Sequence, residues 1–248
     1  MVKHLILVLE GPLAAYGAEM VDARGPVRDW PGASLLTGLI ANALGYQRTM
    51  VIELAALQAR LDFAVRIDRA GERLLDQQNA QLFQNDCGWT TRGQPEGREN
   101  SPSYSKDRLG RKQLINRRQR DYFADSAVTV AVSLRDCDAA PTLETIGAAL
   151  EAPARPLFLG RKPCLPSRPL FAGFIEAEDA LAAVLAAPKV DPNDPDDPWI
   201  VVRDQPGLPQ AFESLHVTDE RNWIAGVHAG ERVFRRGPSS RLETAGKG

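Results

Sequence analysis

"SAVTVAVSLR" (residues 126–135) places Val128, Val130, Val132 and Leu134 on one side of an extended chain and small or polar residues on the other. Successive side chains of a strand point to opposite faces, so this alternation predicts a half-buried β-strand. Just downstream the period changes: in "TLETIGAALEA" (142–152), Leu143, Ile146 and Leu150 fall on one face of a short helix. Upstream, "LDFAVRID" (61–68) alternates again, with Leu61, Phe63, Val65 and Ile67 on one side. The opening "VKHLILVLE" (2–10) is apolar on both sides, as a central strand requires.

Between the first two of these strands lies "GPLAAYGAEMVDARGPVRDWPG" (11–32), which reads as a long loop punctuated by glycine and proline. A helix follows. Ser34 can cap it, Leu35, Leu36, Leu39, Ile40, Ala43 and Leu44 form its apolar face, and Gly45 ends it. Thr37, Gly38 and Ala41, opposite, are small enough to admit another chain.

The last stretch of this half is "LFLGRKPCLPSRPLF" (157–171), apolar at both ends with a Gly160-Arg161-Lys162 tip between them. Its prolines exclude a regular helix or a central strand, and they restrain the cations at low entropic cost. With a fourth strand in or near "RPLFAGFIEA" (168–177), the order is strand, helix, strand, insertion, strand, helix, strand. That is the split βαβ of a ferredoxin-like α+β domain, here spanning 1–175 with a thumb-like basic hairpin insertion at about 72–122.

Residues 176–248 predict a small β-rich C-terminal lobe. It holds an alanine-rich helix, the acidic linker "DPNDPDDP" (191–198), and the strand-like pieces "WIVVR" (199–203) and "SLHV" (214–217). "WIAGVHAGERVF" (223–234) reads as a hairpin with Ala229-Gly230 near its turn, and 235–248 as a mobile tail.

Composition narrows the function classes. The 248 residues are 44% apolar with a net charge of −2, and no apolar run approaches a membrane span, so a cytoplasmic protein is expected. The three cysteines are far apart and never in a C-x-x-C pair, which argues against disulfides and zinc. His4, His216 and His228 lack metal-ligand spacing, and no phosphate-loop or dinucleotide fingerprint occurs. No catalytic residue, metal or cofactor is expected.

Charge is unevenly spread. Seven cations against one acid lie between Lys106 and Arg120, and four cations with no acid between Ala152 and Ile175. Arginines interleaved with Tyr104, Tyr122 and Phe123 suit phosphates and unpaired bases. The same pattern also suits a protein-docking arm, and charge alone leaves both readings open.

Three blocks carry a resemblance: "LILVLEGPLAAYG" (5–17), "WPGASLLTGLIANALGYQR" (30–48) and "RPLFLGRKPCLPSRPLF" (155–171). "LINRRQRDYFADSAVTVAV" (114–132) adds to them. In this order and spacing the chain, to about Gly173, resembles the Cas-five family of CRISPR-associated RNA-binding proteins, in its type I-E Cascade branch. The resemblance implies a non-catalytic subunit that caps the 5′ handle of the CRISPR RNA and contacts the adjacent backbone subunit. The large subunit and, through the complex, target DNA would be further partners.

It also implies RNA-contact positions: Gly11, Pro12 and Tyr16 in the first turn, Arg24 in the loop, and Ser34 at the helix start. Lys106, Arg108, Arg111, Lys112, Arg117 and Arg118 would act in the insertion, and Gly160, Arg161 and Lys162 at the tip. Glycines there would admit phosphate to the backbone, and the helix N-terminus would favour an anion. Tyr16 would stack on a base or pack on the core. Two departures stand out: Ala14-Ala15-Tyr16-Gly17 replaces the family's Gln-[SA]-Trp-Gly, and Ala33 stands where a basic residue precedes the serine. Arg24 or Arg28 can substitute for that cation. A type I-C branch of the family cuts precursor CRISPR RNA without metal, the alternative function; Tyr104, Lys106 and Lys112 offer part of that chemistry, but no histidine lies between His4 and His216.

Overall fold

The alternating stretch at 126–135 is the second half of a single 23-residue strand. The structure, a computed structural model, describes residues 1–18, 24–82, 88–89, 95–96, 104–106 and 112–245. In chain order its main elements are β1 (Val2–Ala14), α1 (Ala33–Ala43), α2 (Val51–Arg60), β2 (Leu61–Arg69), β3 (Glu72–Leu82) and β4 (Lys112–Leu134). There follow α3 (Leu143–Glu151), β5 (Phe171–Ala177), α4 (Ala180–Ala186), β6 (Trp199–Arg203), β7 (Glu213–Val217), β8 (Arg232–Pro238) and α5 (Ser240–Ala245).

These strands form one large sheet in the order β5-β1-β4-β2-β6-β8-β7, every neighbouring pair antiparallel. β4 lies between β1 and β2, and β1 between β4 and β5, so two strand–helix–strand units interleave. The sheet is buried on both faces. Leu5, Leu7, Leu9, Phe63, Val65, Val128, Val130 and Val132 pack against α1, α2 and α3. Ile6, Ala64, Ala131 and Val202 pack against Ala180, Ala183 and Val184 of α4. Leu143, Ile146 and Leu150 of α3 are buried as its period predicts, and the Thr142 side chain accepts the Thr145 N–H at its start.

The first half of β4 leaves the sheet and pairs with β3 as a two-stranded ribbon, in register from Leu82 opposite Leu114 to Glu72 opposite Ala124. The bend between halves is marked by Asp125 at φ +54°, Gly71 at φ +71° and a register shift between Ala127 and Val128. Arg69 ties it down: it bonds the Asp125 carbonyl and carboxylate at 3.0 Å each, Glu10 at 3.1 Å and Asp194 at 2.7 Å.

Several expectations are corrected. The 11–32 segment is not all loop: β1 runs to Ala14, Tyr16–Gly17 pairs with Val27–Arg28, and Arg24–Gly25 runs parallel to Gln119 and Arg120 of β4. α2 was not anticipated. Thr37 and Ala41 of α1 are buried, so its small-residue side is not a free face, though Gly38 is open. The acidic linker is built in, since Asp194 is buried on Arg69 and Asp197 accepts from Ser239 and Ser240. Val227–His228 pairs back with Arg221–Asn222 instead of with β8, so the turn precedes Ala229-Gly230. The tail expected at 235 begins inside β8 and continues as α5. β6 pairs directly with β2, so the C-terminal strands extend the same sheet. No helix of the described residues is long and apolar enough to cross a membrane.

Candidate nucleic-acid interface

The 157–171 segment is strapped along the outer half of β1. Ser167 N–H donates to the Glu10 carbonyl at 2.9 Å, Val8 N–H to Leu170 at 2.9 Å, and Ala15 N–H to Leu159 at 2.9 Å. Leu157, Leu159, Cys164 and Leu170 are the buried anchors. Two further bonds close the tip: Leu159 N–H to Cys164 at 2.7 Å and Cys164 N–H to Arg161 at 2.9 Å. Burial pushes the Cys164 thiol pKa up, so it stays a protonated core group.

The glycines here serve the protein's own backbone. Gly160 sits at φ +98°, and a Cβ there would lie 2.0 Å from the Ala15 carbonyl oxygen. At Gly11 a Cβ would lie 2.5 Å from the Leu165 oxygen. Both positions were expected to admit an RNA phosphate; the Cβ side of each is taken by neighbouring backbone, with Gly11 buried and Gly160 exposed. Of the two readings for Tyr16, the structure shows packing on the core. The residue is fully buried, its hydroxyl points to the Leu9 carbonyl at 3.4 Å, and burial holds the phenol pKa well above its ordinary range. Its ring is core and presents no face to a base.

Arg161 reaches inward. It donates to the Asp121 carbonyl at 2.8 Å and the Gly25 carbonyl at 2.9 Å, and its guanidinium lies 4.9 Å from the centre of the Tyr122 ring. Arg161 and Arg120 together enclose Gly25, where an added Cβ would lie 2.8 and 2.7 Å from their guanidinium nitrogens. One cation at the tip is thus a clamp joining three chain segments. Its neighbour Lys162 is exposed and has no ion-pair partner among the described residues.

Ser34 is displaced from its expected role. Gly32 is the N-cap of α1, without a side-chain cap bond. The anion at this helix end is Asp219, whose carboxylate accepts the Ala33 N–H at 2.7 Å and whose carbonyl accepts the Ser34 N–H at 2.9 Å. Asp219 is buried and paired with Arg232.

What converges, then, is a basic strip at the root of the ribbon. Arg24 is exposed opposite Gln119, Arg117 is exposed and Arg118 half-buried on β4, with Arg161 and Lys162 on the adjoining turn and Pro12 exposed near the end of β1. Arg118, Arg120 and Tyr122 share one face of β4 by strand alternation. That period-two spacing was the signal that could have singled out Arg120. Arg108 and Arg111 lie outside the described residues, as do the side chains of Lys106 and Lys112, whose backbones pair with each other.

Residues 4–235 match the family described as CRISPR-associated protein (Cas_Cas5). The Cascade subunit CasD of Escherichia coli (strain K12) is 30% identical over 183 residues, covering 74% of this chain and 76% of that protein. A chain of a solved CRISPR RNA-guided surveillance complex superposes with a TM-score of 0.66 at 20% identity, covering 99% of this chain and 100% of that one. The crystal structure of a Cas protein gives a TM-score of 0.58 at 24% identity over 95% and 94% of the two chains. With the family match spanning nearly the whole sequence, this chain belongs to the CRISPR-associated protein (Cas_Cas5) family.

Proposed function

We propose that this chain is a non-catalytic subunit of a type I-E CRISPR surveillance complex, in the cytoplasm, binding the 5′ handle of the CRISPR RNA along the strip. The relative CasD is named as a Cascade subunit, which supports the assembly. The strand order β5-β1-β4-β2, with α1, α2 and α3 on one face, supports reading the N-terminal part as a ferredoxin-like RNA-binding domain. The β3–β4 ribbon would reach over the guide toward the adjacent backbone subunit.

One observation carries the reading: Lys162 stands exposed on a turn that its neighbour Arg161 ties to Gly25 and Asp121 at the ribbon root, close in chain to Arg24 and Arg118. A turn whose backbone is fixed beforehand has little main-chain freedom left to lose when its cation meets a phosphate. The reading is tested in the co-expressed complex with Lys162→Ala, Arg117→Ala and Arg118→Ala combined. RNA retention should fall, and the salt dependence of binding should flatten by roughly one unit of slope per lost phosphate contact. Unchanged RNA occupancy and slope would reject it.

A further inference from the structure

Helix α2 carries apolar residues on the side turned away from the core. Leu54 and Leu57 are buried, whereas Ile52, Ala55, Ala56 and Ala59 are exposed and recur at helical spacing along the other side. Beside this stripe stands the 221–228 hairpin. Gln58, at the stripe's border, accepts the Arg221 N–H and donates to the Arg221 carbonyl, each at 3.1 Å. The hairpin presents Ile224 at 86% exposure and Val227 at 57%. We propose that the α2 stripe and this hairpin form a docking surface for an amphipathic helix of another protein subunit of the complex. The proposal rests on the subunit reading above and is independent of RNA contact.

The hairpin is set before any partner arrives. Asn222 Oδ1 accepts the Ile224 and Ala225 N–H groups at 3.1 and 2.9 Å, and the Asn222 carbonyl accepts the Gly226 N–H at 2.8 Å. The Arg221 guanidinium donates to the Gly226 carbonyl at 3.0 Å, and Trp223 packs on the main core. Ile224 therefore projects from a turn whose backbone is already fixed, and burying it against a partner costs little main-chain ordering. Single exposed apolar side chains are ordinary surface, but a set of them on two bonded elements marks an interaction site.

Side-chain size and charge select the occupant. Three alanines at helical spacing let a second helix approach α2 closely, toward the short end of the roughly 8–10 Å between packed axes. Acids border the surface. Glu53 is exposed on the side of α2 away from Gln58 and has no ion-pair partner among the described residues. At the base of the hairpin, Glu220 lies 3.7 Å from Arg232, and Glu231 bonds His216 at 2.5 Å. The Arg221 cation is folded back 5.4 Å from the centre of its own Trp223 ring. A helix with lysine or arginine flanking its apolar face complements this border, whereas a phosphate backbone is repelled by it. A second copy of this chain, joined patch to patch about a two-fold axis, sets acidic border against acidic border.

The test purifies the co-expressed complex through a tag on this chain and measures each protein subunit and the guide RNA. Ile224→Asp combined with Ala56→Gln should lower one protein subunit roughly tenfold or more. Glu53→Lys should lower the same subunit, and a photo-crosslinking residue in place of Ile52 should join to a helix of it. The substituted side chains are exposed, so urea midpoints of the isolated variants should match wild type. Wild-type ratios of every protein subunit in both variants overturn the docking surface alone. Loss of guide RNA with every protein subunit retained assigns the patch to RNA and overturns the proposal. So does an isolated chain that passes from dimer to monomer on Ile224→Asp with the complex intact, which assigns the patch to a second copy. A wild-type chain that purifies with no other protein overturns the docking surface and the subunit reading together.

Discussion

Asp219 and Ala33 lie 186 positions apart in sequence, yet the Asp219 carboxylate accepts the Ala33 N–H at 2.7 Å and so supplies the anion at the start of α1. Arg232 donates to both oxygens of that carboxylate from β8, packed under the rings of Phe63 and Phe234. The C-terminal strands are therefore bolted to the first helix at the point where an RNA phosphate was expected.

Asp219→Ala should lose about 3–5 kcal/mol of stability, because it strands a buried Arg232 as well as the helix end. Asp219→Asn should lose less. If the helix end were a phosphate site, emptying it of Asp219 would tighten RNA binding. The expected result is lower stability in urea titration with no gain in RNA affinity, and a gain would reverse the assignment.

Gly160→Ala should destabilise by at least about 1–3 kcal/mol from backbone strain, since it forces a side chain into a left-handed conformation. The 2.0 Å approach to the Ala15 oxygen adds to this. Gly17→Ala is the matched control: nothing lies within 4 Å of its Cβ, and the change should stay within about 0.5 kcal/mol. Equal denaturation midpoints for the two variants would contradict the account of the tip.

The sheet was legible wherever one face of a strand met helices, because burial imposes the alternation seen in 61–68 and 126–135. The ribbon was legible only as a hairpin insertion at about 72–122, without its strands or register, because residues 72–80 are almost all exposed and no face of β3 selects apolar side chains. α2 escaped for a related reason: only Leu54 and Leu57 are buried, while Ile52 is exposed and blurs the period. The basic strip could be read as charge, but not its division of labour. Arg161 and Lys162 are adjacent and alike in sequence, yet one is spent on two carbonyls and the other faces solvent. Nothing local distinguishes them. The roles of Asp219 and Asp194 depend on partners far along the chain, so an aspartate in a proline-rich linker looked merely solvated.

His4 gives the fold a pH dependence. It is buried in β1 with Nδ1 2.8 Å from the Val2 carbonyl, and burial pushes its pKa below the ordinary value. The unfolded chain then binds a proton that the folded chain resists. This contribution to stability is full above the ordinary histidine pKa, near 6.5, and is lost as pH falls below it, levelling off under the folded-state value. Urea titrations between pH 7.5 and pH 5 should show wild type losing more stability than His4→Gln. Parallel losses would show that another group sets the dependence.

Arg69 governs the ribbon root. Its side chain bonds the ribbon bend at Asp125, the first strand at Glu10 and the linker at Asp194, and Glu10 in turn meets Arg168 of the tip segment at 3.6 Å. Arg69→Ala removes all three links while leaving the sheet pairing of β2 in place. Amide exchange at 72–80 and 117–124 should therefore quicken about tenfold or more, with 63–67 and 128–132 unchanged. Arg69→Lys should rescue little, since a single ammonium cannot reproduce the planar fork that spans three carboxylates. Uniform acceleration across sheet and ribbon would mean that Arg69 stabilises the whole fold. Exchange unchanged at the ribbon would mean that the β4 register alone sets its angle. The selective outcome is expected because the bend, with Asp125 in a left-handed conformation, is the one place in β4 where continuous pairing does not hold the strand.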